Sequence, residues 1–158
     1  MPFTKTAIGL SLALFATVAA AQDRRPSYGP SINTAGAKRI AAGTIAECAK
    51  NGWNVAVAVV DTHGALVYFE RMEDTQYASN DIAIGKAKAA ATYRRPTRVF
   101  ADVINKGGPA TATLGGVFAS PGGVPIMADG NRVIGAVGVS GVTGDQDEQC
   151  AKAGASAK

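Results

Sequence analysis

The chain has 158 residues, with 16 Lys and Arg against 12 Asp and Glu, one His and two Cys, for a formal charge of +4. That is one domain's worth of sequence, long enough to bury a sizeable core. Its basic residues are scattered apart from Arg24-Arg25 and Arg94-Arg95, and its few aromatics do not interleave with them, so a nucleic-acid groove is not expected.

Residues 1–21 have the layout of a cleavable secretory signal: Lys5, an apolar stretch from Ala7 to Val18, then Ala19-Ala20-Ala21. The apolar stretch is too short for a comfortable membrane span. The expected product is an exported, periplasmic single domain over residues 22–158, with no stable span once the signal is removed. Pro26, Gly29 and Pro30 make the first residues after it an extended lead-in.

Asn33 or Thr34 can cap a helix running to about Lys50, with Ala37, Ile40, Ala41, Thr44, Ile45 and Cys48 on its inward stripe. Trp53 to Val60 is nearly all small or β-branched, as expected of a strand covered on both faces. Asp61-Thr62-His63-Gly64 turns the chain into a return strand from Ala65 to Met72. Four residues cannot carry a crossover, so the two strands pair antiparallel. Ser79 or Asn80 opens a second helix, stopped by Pro96. Thr97 is placed as the cap of a short third helix bearing Val99, Phe100, Val103 and Ile104.

Ala110 to Ala119 reads as a loop with a short strand near Val117. Val124–Ala128 and Arg132–Val139 form a second hairpin around Asp129-Gly130-Asn131, residues that tolerate positive φ. Thr143 and Gln146 then have capping-box spacing at the start of a last helix. The order α-β-β-α-α-β-β-α is that of an α+β fold, an antiparallel sheet of about five strands with helices packed on it. Glycines at 122, 123, 135, 138, 141 and 144 fit either close helix-on-sheet packing or a ligand pocket.

Candidate chemistry is sparse. His63 is the only histidine and sits in a turn, where it is either solvated or free to ligate iron. Arg71 closes the first hairpin and suits a carboxylate, with an ion pair to Glu70 or Glu73 as the alternative. Lys86 and Lys88 point to opposite sides of their helix, so at most one faces a pocket. Asp145, Asp147 and Glu148 need no metal at a helix N-terminus, and no zinc-type cluster is present. Ser120 and Ser140 lack a nucleophile-elbow context. Cys48 and Cys150 fit a disulfide in an oxidising compartment, or two buried thiols.

Asn51-Gly52-Trp53-Asn54-Val55-Ala56-Val57-Ala58-Val59-Val60-Asp61 resembles the opening motif of the GlcG/HbpS haem-binding-like family. So do Glu70-Arg71-Met72, Lys86-Ala87, Arg95-Pro96-Thr97, Gly122-Gly123-Val124-Pro125-Ile126 and the run from Gly135 to Gly141. The likeness extends to the C-terminal haem-binding domain of PduO-type corrinoid adenosyltransferases and covers essentially the whole domain.

The resemblance implies a profilin-like layered fold, homo-oligomers that are often octamers, and haem as a ligand. By position it carries ligand-binding roles to Arg71, Lys86 and the Gly122, Gly123 and Pro125 loop. His63 stands where relatives have Gly or another polar residue, which puts a family-wide axial-ligand role at that position in doubt. Cys48 is also outside the family pattern. The implied function is an exported, oligomeric binding protein for haem or another small ligand. The alternative is an enzyme acting on a small organic acid, for example by dehalogenation, with Arg71 or Lys86 holding the carboxylate and Asp61, Glu73 or His63 as base.

Overall fold

The computed structural model describes residues 25–157, so the signal-like segment 1–21 lies outside the described residues. The elements are β1 (Ser27–Tyr28), α1 (Thr34–Lys50), β2 (Ala56–Val60), β3 (Leu66–Arg71), α2 (Ser79–Tyr93), α3 (Arg98–Asn105), a 3-10 turn (Pro109–Thr113), β4 (Gly123–Ala128), β5 (Arg132–Ser140) and α4 (Gly144–Ala155).

β5 is the spine of the sheet. It pairs antiparallel with β4 and with β2, and β3 continues outward from β2. The α+β layering agrees with expectation in its helices and both hairpins. Two details differ. The extended lead-in supplies β1, which joins β5 in parallel at Ser27↔Arg132, so the sheet is not purely antiparallel. The strand expected near Val117 is absent; a 3-10 turn and loop occupy that stretch, where Gly115 and Gly116 give the backbone no side chains to lay on a sheet.

The alternation of β2 sorts the core into two layers. Val57 and Val59, with Val137 and Val139 of β5, face α1 and α4. Ala56, Ala58 and Ala136 face α2, which answers with Ala83, Ala87, Ala90 and Ala91. Small side chains on both surfaces let α2 lie close to the strands. A methyl at Gly138 would run into the Ala83 carbonyl, and one at Gly135 into the Val60 carbonyl. The Ala-rich helix and the glycine-rich strand are two halves of one packing solution.

Local signals behave as their chemistry predicts at most boundaries. Asn33 accepts a hydrogen bond from Gly36 N at 2.9 Å, capping α1. Thr143 and Gln146 form the reciprocal capping box of α4. Gly130 and Asn131 both take positive φ in the β4–β5 turn. Thr97 departs from its expected role. Its hydroxyl donates to the Ser120 carbonyl at 2.6 Å and accepts from Gly123 N at 3.0 Å, tying the 120–123 loop to the start of α3. It is buried and gives α3 no side-chain cap.

Candidate functional site

Cys48 and Cys150 form a disulfide that joins α1 to α4, with Cα atoms 5.6 Å apart. Both residues are fully buried, so the bridge is part of the core under the sheet.

Lys86 lies inside the protein, only 1% exposed. Its ammonium donates to Asp147 Oδ2 at 2.7 Å and to the Val139 carbonyl at 2.9 Å. Asp147 in turn accepts from Val142 N at 3.2 Å. Burial pushes the Lys86 ammonium below the usual lysine range, against the pull of Asp147. Burial likewise pushes the Asp147 carboxyl above its ordinary range, against Lys86 and the backbone donors.

Gly122 passes directly over this pair with φ +122; a Cβ there would sit 2.9 Å from Lys86 Nζ and 2.7 Å from the Val139 oxygen. Gly123 and Pro125 are buried too. Lys86 and the glycine-rich loop therefore do come together, as interior packing that holds α2, β4, β5 and α4 in register. The glycines serve close approach of backbone to backbone.

Arg71 is exposed at the end of β3 and stacks on Tyr77, 4.7 Å from the ring centroid. It makes no ion pair with Glu70 or Glu73 among the described residues. The register Ala56↔Arg71 and Val60↔Leu66 puts it at the opposite end of the hairpin from His63. At ~3.3 Å per strand residue the two are roughly 15–20 Å apart. Arg71, Lys86 and His63 are thus three separate environments among the described residues.

Several of the remaining polar candidates have protein partners. Asp145 and Glu148 pair with Arg98, and Glu148 also takes Lys152 at 2.9 Å. Those hydrogen bonds, Asp145 first and Glu148 second, raise the Arg98 pKa. Among the described residues no three His, Cys, Asp or Glu side chains gather as a metal site. Ser140 bonds Ser79 at 3.1 Å and stays buried. Asp61 accepts from His63 N at 2.8 Å and Ala65 N at 2.9 Å, so it builds the turn.

His63 is exposed on that turn. Its Nδ1 lies 3.3 Å from the Thr62 hydroxyl, and Nε2 has no partner among the described residues. The ring borders a cavity of about 440 Å³ lined by Tyr28, Gly29, Thr62, His63 and Thr92. Tyr28 is held there by hydrogen bonds to the Ala91 and Thr92 carbonyls, at 3.2 and 2.8 Å, and the Arg94 guanidinium stacks 5.0 Å above its ring. Lys88 is exposed on the neighbouring turn of α2; an added Cβ at Gly64 would meet its Cγ at 3.5 Å. An imidazole whose Nε2 has no partner among the described residues, an aromatic wall and flanking cations suit a planar, anionic, metal-bearing ligand. Tyr28 and Thr92 could not be found from sequence, because they meet His63 only when β1 docks beside α2.

Residues 32–156 match the family model described as haem degrading protein HbpS-like. Protein GlcG of Escherichia coli (strain K12) is 44% identical over 94 residues, 60% of this chain and 69% of that protein. A crystal structure of a double mutant of HbpS from Streptomyces reticuli superposes with a TM-score of 0.74 at 28% identity, covering 96% of this chain and 97% of that one. The crystal structure of a PduOC–haem complex gives 0.72 at 25% identity, covering 81% and 95%.

Proposed function

The chain belongs to the HbpS-like family, and on that premise we propose that it binds haem, with His63 as the axial ligand. The observation that carries the reading is the exposed imidazole whose Nε2 has no partner among the described residues, at the rim of the cavity beside Tyr28. Iron bound there would supply a Lewis-acidic, redox-active centre. His63 would hold the metal, Tyr28 would stack against the macrocycle, and Lys88 and Arg94 would pair with propionates. The relatives support haem as the ligand, since one similar structure is itself a haem complex.

We further propose export and assembly into a homo-oligomer. The disulfide fits an oxidising compartment, as does the signal-like N-terminus. The exposed Leu66, Tyr77 and Met127 are apolar surface that subunit contacts would cover.

Hemin titration followed by absorbance tests the haem reading. A saturable, stoichiometric Soret shift is expected, lost in His63→Ala and weakened several-fold in Lys88→Gln. A shift retained in full by His63→Ala would move the axial ligand elsewhere. The absence of any saturable shift would end the haem reading. Size measurement by light scattering and sequencing of the exported product's N-terminus check the other two proposals.

A further inference from the structure

A second cavity, of about 200 Å³, lies where α2 ends, between α3 and the loop that follows it. It shares no lining residue with the His63 cavity. Arg25 and Arg95 stand at its edge, and Tyr93, Phe100, Val103 and Leu114 form much of its wall. Tyr93 and Phe100 pack edge to face at 5.1 Å and 74°, and the Arg95 guanidinium lies 6.0 Å from the Phe100 centroid. The Tyr93 hydroxyl donates to the Gly115 carbonyl at 2.6 Å, which pins the 114–117 stretch beside the opening.

Two features of this cavity are unmatched by the protein itself. Neither Arg25 nor Arg95 has a carboxylate within ion-pair distance among the described residues, and the lining contains none. Other basic side chains at helix ends, the half-buried Arg98 and the exposed Lys152, do find carboxylates. Secondly, Val103 and Leu114 remain 40% and 51% exposed, although α3 carries a strongly one-sided apolar stripe. Cationic and apolar surface thus converge on one small hollow, and each awaits a different part of an occupant.

We propose that this cavity binds a small single-ring aromatic carboxylate. The carboxylate sits between Arg25 and Arg95, whose planar guanidinium forks match its two oxygens. The ring lies against Phe100, Val103 and Leu114, where edge-to-face contact and burial of apolar area favour it. The volume falls below the ~300 Å³ lower end of common ligand pockets, so it admits one ring and excludes a porphyrin. The apolar wall discriminates against small hydrated acids, and the paired guanidinium groups against neutral rings.

Fluorine NMR titration of para-fluorobenzoate into the full chain tests this. A saturable one-to-one response is expected, with at least tenfold weaker binding of para-fluorobenzyl alcohol and of trifluoroacetate. Arg25→Gln and Arg95→Gln should each weaken para-fluorobenzoate about tenfold, while Lys106→Gln leaves it unchanged. Circular dichroism melts of the arginine variants at the wild-type midpoint would confirm that the fold is intact. The hemin response should persist in both arginine variants, which keeps the two sites distinguishable. Equal affinity for the alcohol, an unchanged affinity in the Arg25→Gln/Arg95→Gln double variant, or no saturable response would overturn the assignment.

Discussion

Replacing either member of the buried Lys86–Asp147 pair should destabilise the fold far more than replacing both. Lys86→Met leaves the Asp147 carboxylate without its cation and the Val139 carbonyl without its donor. Asp147→Asn keeps an acceptor for Val142 N but leaves a buried ammonium with no opposing charge. An unpaired buried charge typically costs ~3–5 kcal/mol. The double variant Lys86→Met/Asp147→Asn removes both charges at little change of volume, and its loss should be ~1–2 kcal/mol, well short of the sum of the singles. Urea unfolding followed by the single Trp53, with the disulfide intact, measures all four proteins, and equal m-values license the comparison. Additive losses, or single losses below ~1 kcal/mol, would refute the claim that these two groups lie in a dry, mutually dependent environment.

The same pair sets a pH dependence. Burial holds the folded Lys86 pKa below the ordinary lysine value of 10.5. Between those two values the unfolded chain retains a proton that the folded chain has released. Wild type should therefore gain stability with rising pH on the alkaline side, relative to the double variant, and lose that gain as pH falls through the folded pKa. Paired urea midpoints at neutral and alkaline pH check it.

The Cys48–Cys150 bridge spans a sequence separation of 102, so Cys48→Ala/Cys150→Ala should cost ~2–5 kcal/mol in urea unfolding; a loss under ~1 kcal/mol would deny it a stabilising role. Gly138→Ala drives a methyl into the Ala83 carbonyl and should cost ~3 kcal/mol or prevent folding, measurable by thermal melting, whereas Gly52→Ala meets no atoms and pays only for its positive φ. Thr97→Val removes both hydroxyl hydrogen bonds to the 120–123 loop and leaves the backbone bonds from Thr97 N to the Gly123 carbonyl and from Val139 N to the Gly122 carbonyl. About 2 kcal/mol should be lost, with amide exchange rising at Gly123 ahead of the sheet centre.

The elements were largely legible in the chain because their signals are local. Val57 and Val59 alternate with Ala56 and Ala58 along one strand, Asp129-Gly130-Asn131 supplies a turn, and Thr143 with Gln146 closes its own box three residues away. Family membership was legible for a similar reason, since the motif residues run in order along the domain. The site was legible only in fragments. His63 stood out as the sole imidazole, but its neighbours Tyr28 and Thr92 come from elements 35 and 29 residues distant in number. Nothing in residues 25–29 alone shows that two of them will add a parallel strand to β5, because that pairing depends on where Arg132 and Val133 lie.

What only the tertiary structure decided is the meaning of the charged and polar residues. Lys86 and Asp147 are 61 residues apart, and each alone reads as a solvated helix residue. They become a buried pair because Ala83, Ala87 and Gly138 let α2 sink onto the sheet, while Gly122 passes without a side chain above them. Thr97 changed from helix cap to loop clamp for the same reason: burial beside Ser120 and Gly123 offered its hydroxyl two partners that a solvated cap would not meet. Side-chain periodicity determines which face of an element is apolar. Which charges are sealed inside, and which guanidinium groups are left facing a hollow, depends on how closely two such faces approach, and that distance is a property of the packed whole.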